Sequence, residues 1–161
     1  MTADVDERMA CTHAQLIIEG RVAGKARHRS AVIGGQVRQF DPKTNRAAAT
    51  RIAEAWQHAN RPWFADAPVG MEIVIHEQRP AGHWTGKGEL SAAGRRSPVP
   101  ARKPDLDNVA KQICDALNGR LWHDDAQVYD LRARKEWCAS RDTPEVVVVT
   151  AWTIDDRRMW V

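Results

Sequence analysis

The stretch that most constrains the fold is "EVVVVTAWTI", residues 145–154. Four valines in a row are stiff at χ1 and favour a pleated backbone over a helix. A β-branched run without polar alternation reads as a buried strand, which needs a covered sheet around it. The other strands follow from weaker signals. "AQLIIEG" (Ala14–Gly20) is a short strand ended by glycine, and "PVGMEIVIHEQ" places Met71, Ile73 and Ile75 on one face. "AQVYDLRARKEW" alternates imperfectly around Val128 and Leu131. Gly34-Gly35, between "SAVI" and "QVRQF", predicts a hairpin turn.

Two segments carry the helical period. In "DPKTNRAAATRIAEAWQHAN" the stripe is Ile52, Ala55, Trp56 and Ala59. Asp41 or Thr44 is the expected cap, and Arg61-Pro62 the stop. From Val109 to Leu117, the residues Val109, Ala110, Ile113, Cys114, Ala116 and Leu117 share one broad face, and Asn118-Gly119 ends the helix. The expected class is α+β: a single domain with a mixed β-sheet and two main helices packed on it. Residues 1–13 are expected to be a flexible N-terminal segment, 14–154 the domain and 155–161 a tail. Residues 82–100, rich in Gly, Pro and Ser, form a long basic loop, expected to be functional or disordered.

No apolar run reaches the ~20 residues that span a bilayer. The polar, acidic start "MTADVDERMACTHAQ" lacks the pattern of a signal peptide, so the expected location is cytoplasmic. Cys11, Cys114 and Cys138 form no C-x-x-C pair and are expected as reduced thiols, Cys114 in core packing. The six histidines form no ligand set. His123, beside Asp124, is expected in a surface or hydrogen-bonding role. Trp56, Trp137 and Trp152 read as core residues, and Trp122 as packing beneath the acidic site. Trp84, in the long loop, suits either stacking on unpaired bases or anchoring the loop.

The net charge of +3 hides an uneven distribution. Residues 20–51 hold eight Lys/Arg and one acid, Asp41, while residues 79–103 hold six and one, Glu89. The intervening and following segments are acidic. "KPDLDNVAKQICDALNGRLWHDDAQVYD" alone carries six aspartates. Two carboxylates about 4 Å apart repel by roughly 4 kcal/mol at an effective dielectric of 20, so something must offset the cluster. Hard divalent cations with oxygen ligands do so, and aspartates without histidines favour Mg²⁺ or Mn²⁺ over Zn²⁺. If the "PDLD" segment is extended, Asp105 and Asp107 point the same way, with Asp107 as the helix cap. Asp124-Asp125 can meet them after the short reversal "NGRLWH", and Lys111 stands on the same helical face. For one aspartate alone, a cap, a turn or a Lys111–Asp115 pair is the simpler reading. The combination D-x-D-N, a lysine four residues on and a later D-D reverses that preference.

"KPDLDNVAKQICDALNG" followed by "HDDAQV" resembles the RusA family of Holliday-junction resolvases, found in bacteria and their phages. "IEGRVAGKARHRSA" is similar to that family's early strand and basic stretch, with His28 where a proline is common. The resemblance covers about Leu16 to Thr153. It implies a RusA-like fold and a homodimeric, Mg²⁺-dependent endonuclease that cuts four-way DNA junctions with paired nicks, Mn²⁺ being a possible substitute. It implies metal binding by Asp105, Asp107 and Asp125, with the adjacent acid Asp124 also expected at the metal, and catalysis by Asp105, Asp107 and Asp125 with Lys111. Lys25, Arg27 and Arg29 match the stretch expected on DNA. Arg95, Arg96, Arg102 and Lys103 lead into the acidic segment and are expected to contact phosphates. Two other readings remain: a non-catalytic module that binds branched DNA, and a metal-dependent phosphatase acting on nucleotides. The extended cationic footprint argues against the second.

Overall fold

The computed structural model describes residues 9–26, 29–40 and 42–154. The valine run becomes β8 (Val146–Thr153), flanked antiparallel by β2 (His13–Glu19) and β6 (Val69–Glu77). β7 (Val128–Trp137) adds to β6 in parallel, giving a mixed sheet in the order β2-β8-β6-β7. Helices α1 (Lys43–His58) and α3 (Leu106–Leu117) contact each other and lie over β2 and β7 respectively. The α+β class with one mixed sheet and two main helices is therefore what the chain forms.

The core lies between the sheet and these helices. Leu16 and Ile18 of β2, Met71 and Ile73 of β6, Val147 and Val149 of β8, and Ile113 and Leu117 of α3 are buried in one cluster. Each such side chain contributes about 1.5–3 kcal/mol by leaving water. β8 is covered on one face only: Val147, Val149 and Ala151 are buried, while Val146, Val148 and Thr150 are half-exposed. The β-branched run read as buried on both faces because valine satisfies strand geometry as well as burial.

Other elements depart from expectation at their ends. α1 starts after Pro42 with no side-chain cap. Thr44 lies within the helix, and Asp41 falls outside the described residues. After Ala59 the chain reverses through Asn60 (φ 63°) and Arg61 (φ 51°). β5 (Pro62–Trp63) then pairs in parallel with β1 (Met9–Ala10), so residues 9–10 are strand and not loose terminus. The remainder of the proposed N-terminal segment before Met9, and the 155–161 tail, lie outside the described residues. The Gly34-Gly35 hairpin forms as β3 (Arg29–Ile33) and β4 (Gln36–Phe40), both glycines taking positive φ.

Residues 82–100 hold more structure than a loop. A 3₁₀ turn (Ala81–His83) leads to a Trp84–Leu90 bridge and to α2 (Ala92–Arg95). The Ser91 hydroxyl accepts from the Gly94 N–H at 3.1 Å and donates to the Gly82 carbonyl at 2.7 Å. A Cβ on Gly94 would stand 2.4 Å from the His83 oxygen, so only glycine fits there. The Arg79 guanidinium donates to the Gly94 and Ser97 carbonyls, both at 3.0 Å. The segment has no hydrophobic period because side chain-to-backbone bonds, not a packed face, order it.

Candidate active site

α3 carries the site. Its apolar face, with Val109, Ile113 and Leu117 fully buried, fixes which residues point outward: Asp107, Lys111 and, at the edge, Cys114 and Asp115. Asp105, not Asp107, is the N-cap, and its side chain makes no capping hydrogen bond. Asp107 stands in the first helical turn. Asp105 keeps an extended backbone (φ −67°, ψ 138°) while Leu106 and Asp107 are already helical, and both carboxylates stand at the positive end of the helix. Both are exposed, and neither has a hydrogen-bond or ion-pair partner among the described residues. Lys111, one turn beyond Asp107, is also exposed and unpaired among them.

The D-D pair divides into two roles. Asp124 caps the 3₁₀ turn Asp125–Gln127: one carboxylate oxygen accepts from the Ala126 N–H at 2.8 Å, and the Gln127 amide oxygen accepts from the Asp124 N–H at 2.9 Å. Gln127 also donates to the carbonyls of Ala65 and Ala67. Asp124, expected beside a metal, thus holds the turn. Asp125 is exposed, without a partner among the described residues, and faces α3. The Cys114 thiol records that proximity: burial first, then the charges of Asp125 and Asp115, push it up to about 11. This is a packing thiol, not a nucleophile.

Asp105, Asp107 and Asp125 are all hard oxygen donors, unengaged and open to solvent, which suits Mg²⁺ or Mn²⁺. Among the described residues no three His, Cys, Asp or Glu side chains form a group able to hold a metal ion. Asp105 and Asp107 adjoin at the start of α3, and Asp125 lies near Cys114 farther along it, without closing a cage.

The basic stretch after β2 is strapped against this helix. The Lys25 N–H donates to the Asn108 carbonyl at 3.0 Å, and a Cβ on Gly24 would lie 3.0 Å from the Asn108 Cβ. Buried Asn45 pairs with both backbone groups of Ala26, at 2.9 and 3.0 Å. The Lys25 ammonium, expected on DNA, is held by Asp115, which leaves Lys111 unpaired instead of bound to Asp115. Arg27 lies outside the described residues, and of Arg29 only its place in β3 is described. Between this strap and the start of α3 runs a groove of about 420 Å³, lined by Arg21, Gly24, Lys25, Lys103, Asp105 and Asn108. Lys103 is exposed beside it.

Of the second basic set, Arg96 is exposed without a partner among the described residues, and Arg95 donates to the Leu90 carbonyl at 2.6 Å. Arg102 departs from expectation. Its Nε donates to Glu77 Oε2 at 2.8 Å, and its plane lies 5.3 Å from the Trp137 ring centroid. Glu77, 1% exposed, also faces Lys135 Nζ at 3.5 Å. The Lys135 ammonium donates in turn to the carbonyls of Arg102 and Pro104. Arg102 is thus a structural cation. Glu77 and Lys135 were missed in the sequence, although each is a charged residue in the inward phase of its strand, after Met71, Ile73 and Ile75 in one case and after Ala133 in the other.

The aromatic expectations sort similarly. Trp122 is buried beneath the turn, and Trp56 packs against the core with its N–H on the Pro62 carbonyl. Trp137 lies between the guanidiniums of Arg79 and Arg102 rather than in the core. Trp152 is half-buried and lies over Gly70. Trp84 anchors the loop at its bridge to Leu90, under Arg141. His123 stacks edge-on against Trp63 and faces Asp66 at 3.5 Å, away from a catalytic partner.

Comparison with known proteins fits this arrangement. The chain is 27% identical over 118 residues to the uncharacterized protein YqaN of Bacillus subtilis (strain 168), covering 73% of this chain and 83% of that protein. The sequence model of the family "Endodeoxyribonuclease RusA" matches residues 19–149, a span from the end of β2 into β8 that includes every acid of the site. The chain belongs to the RusA endodeoxyribonuclease family.

Proposed function

We propose that this protein is a Mg²⁺-dependent endonuclease that resolves four-way DNA junctions by paired, symmetric nicks. The carrying observation is a set of exposed, unpartnered groups on and beside one helix: Asp105 and Asp107 at the start of α3, Lys111 one turn on, and Asp125 in the turn before β7, near enough to raise the Cys114 thiol. Mg²⁺ is typically held by one or two carboxylates, its other positions going to water and substrate phosphate. A site without a closed protein cage is consistent with that habit, the DNA backbone supplying the missing oxygens.

Bound there, the ion would lower the pKa of a water and offset charge on the phosphate. Asp105, Asp107 and Asp125 would hold it, and the carboxylates orient the attacking water by accepting its protons. Water oxygen bonds to phosphorus as the bond to one sugar oxygen breaks. The Lys111 ammonium, free to donate, stabilises the negative charge that accumulates during that exchange. Lys103 and Arg96 supply positive charge along the groove and loop for the phosphodiester backbone. A four-way junction has two-fold symmetry, and two coordinated nicks call for two sites, hence a homodimer.

The test is incubation with a labelled synthetic junction and a matched linear duplex in Mg²⁺, Mn²⁺ or EDTA. Symmetric, metal-dependent nicks in the junction alone are expected. A junction that is bound but uncut under every condition would replace this reading with that of a branched-DNA-binding module.

A further inference from the structure

We infer that Glu77 is a positioning residue for the nuclease site, acting through Arg102 and Lys135 on the backbone that delivers Asp105; this rests on the proposed catalytic role of Asp105. Glu77 ends β6, on the inward phase of the strand, where a carboxylate would otherwise face the core. One of its oxygens receives the Arg102 Nε at 2.8 Å, and the other faces Lys135 Nζ at 3.5 Å. The same ammonium, on a side chain only 9% exposed, donates to the carbonyls of Arg102 and Pro104. Arg102 closes the circuit by donating to the Gln78 carbonyl at 2.8 Å. The peptide groups immediately before Asp105 are thus gripped from beneath by a buried charge cluster.

The cluster also reaches the ordered loop. Trp137 takes Arg102 on its ring and donates its indole N–H to the Ser97 carbonyl at 2.8 Å, and Arg79 holds that same carbonyl. Loop docking and Asp105 placement share one anchor. A carboxylate needing placement within a fraction of an ångström requires such support, and loss of an outer partner commonly costs a metal site 10- to 100-fold.

The test uses the full chain and three variants: Glu77→Gln, the double variant Glu77→Met with Lys135→Met, and, as control, Arg132→Ala, an exposed β7 residue paired with Asp130. Removing both charges with similar volume leaves neither deeply buried ion unpaired, while Arg102, 37% exposed, keeps the Gln78 carbonyl and reaches water. Single-turnover cleavage of the junction, junction affinity without metal, and amide hydrogen exchange across residues 98–107 are measured together. The expected result is a roughly 10- to 100-fold fall in rate for both Glu77 variants, affinity within about twofold, and faster exchange confined to residues 98–107. A double variant that melts like wild type and cuts at the wild-type rate would overturn the inference, as would unchanged exchange in Glu77→Gln. If wild type cuts nothing, the catalytic reading has failed instead; the exchange data then still decide whether Glu77 holds this segment.

Discussion

The two basic segments have nearly the same composition and opposite constructions. In the first, residues 20–26 form a strap tied to α1 and α3 through Asn45, Asn108 and Lys25, and residues 29–40 a hairpin whose Val32 and Val37 are 72% and 70% exposed. Residues 79–103 fold back on themselves and use arginine as mortar: Arg79 and Arg102 flank Trp137 and satisfy carbonyls and a buried carboxylate. A count of positive charges does not distinguish a cation that meets DNA from one that holds a loop. What distinguishes them is whether a planar guanidinium has a protein partner for its fork of donors.

The comparison can be broken at its centre. Lys111→Met removes the unpaired cation of α3; about 10²–10³-fold loss of single-turnover rate is expected, with junction binding near wild type. Equal losses in binding and rate would make Lys111 one more phosphate contact. Next in size is Arg102→Ala, which strips the buried Glu77 of its closest cation. Because Arg102 is partly exposed, the expected loss is about 2–3 kcal/mol, below the range for fully buried pairs. Urea denaturation reads it, and an unchanged midpoint would return Arg102 to the DNA-facing set.

Asn45→Ala tests the strap. It leaves both backbone groups of Ala26 without their partner, and about 1–3 kcal/mol of destabilisation is expected in the same assay. The smallest effect belongs to Arg96→Ala. Stability should stay within about 0.5 kcal/mol, while the slope of log affinity against log salt falls by about one contact. A further contrast concerns Cys114. A thiol raised in the fold ionises first in the unfolded chain, so folding loses stability as pH climbs from about 9 towards about 11. Labelling by a thiol reagent at pH 8 should therefore be slow until denaturant is added.

The sheet and the two main helices were legible because each buries one periodic face: Leu16 and Ile18 at period two, Ile113 and Leu117 at period four. The free acids were legible as a spacing, since Asp107 and Lys111 stand one turn apart on any helix that buries Val109 and Ile113. Their exact placement was not. Asp105 became the cap because the helix starts at Leu106, three residues before the apolar stripe that begins at Val109. Asp124 was indistinguishable from Asp125 until the turn showed which one its backbone uses. The order in residues 82–100 left no periodic trace, because it rests on Ser91, Arg79 and Trp137 bonding to carbonyls far along the chain. Glu77 and Lys135 were visible as charges in the wrong phase of a strand, a signal that only gains meaning when the two are seen to face each other.

The parallel pairing of β6 with β7 has a consequence for assembly. Those strands are neighbours in space but are separated by residues 78–127, which include Asp105, Asp107, Lys111 and Asp125. Closing so long an excursion is entropically slow compared with local hairpins and helices. Lys135 meets Glu77 only once that excursion has closed. Until it closes, the backbone before Asp105 lacks the ammonium that holds the Pro104 carbonyl, so long-range topology and local site support are one and the same contact.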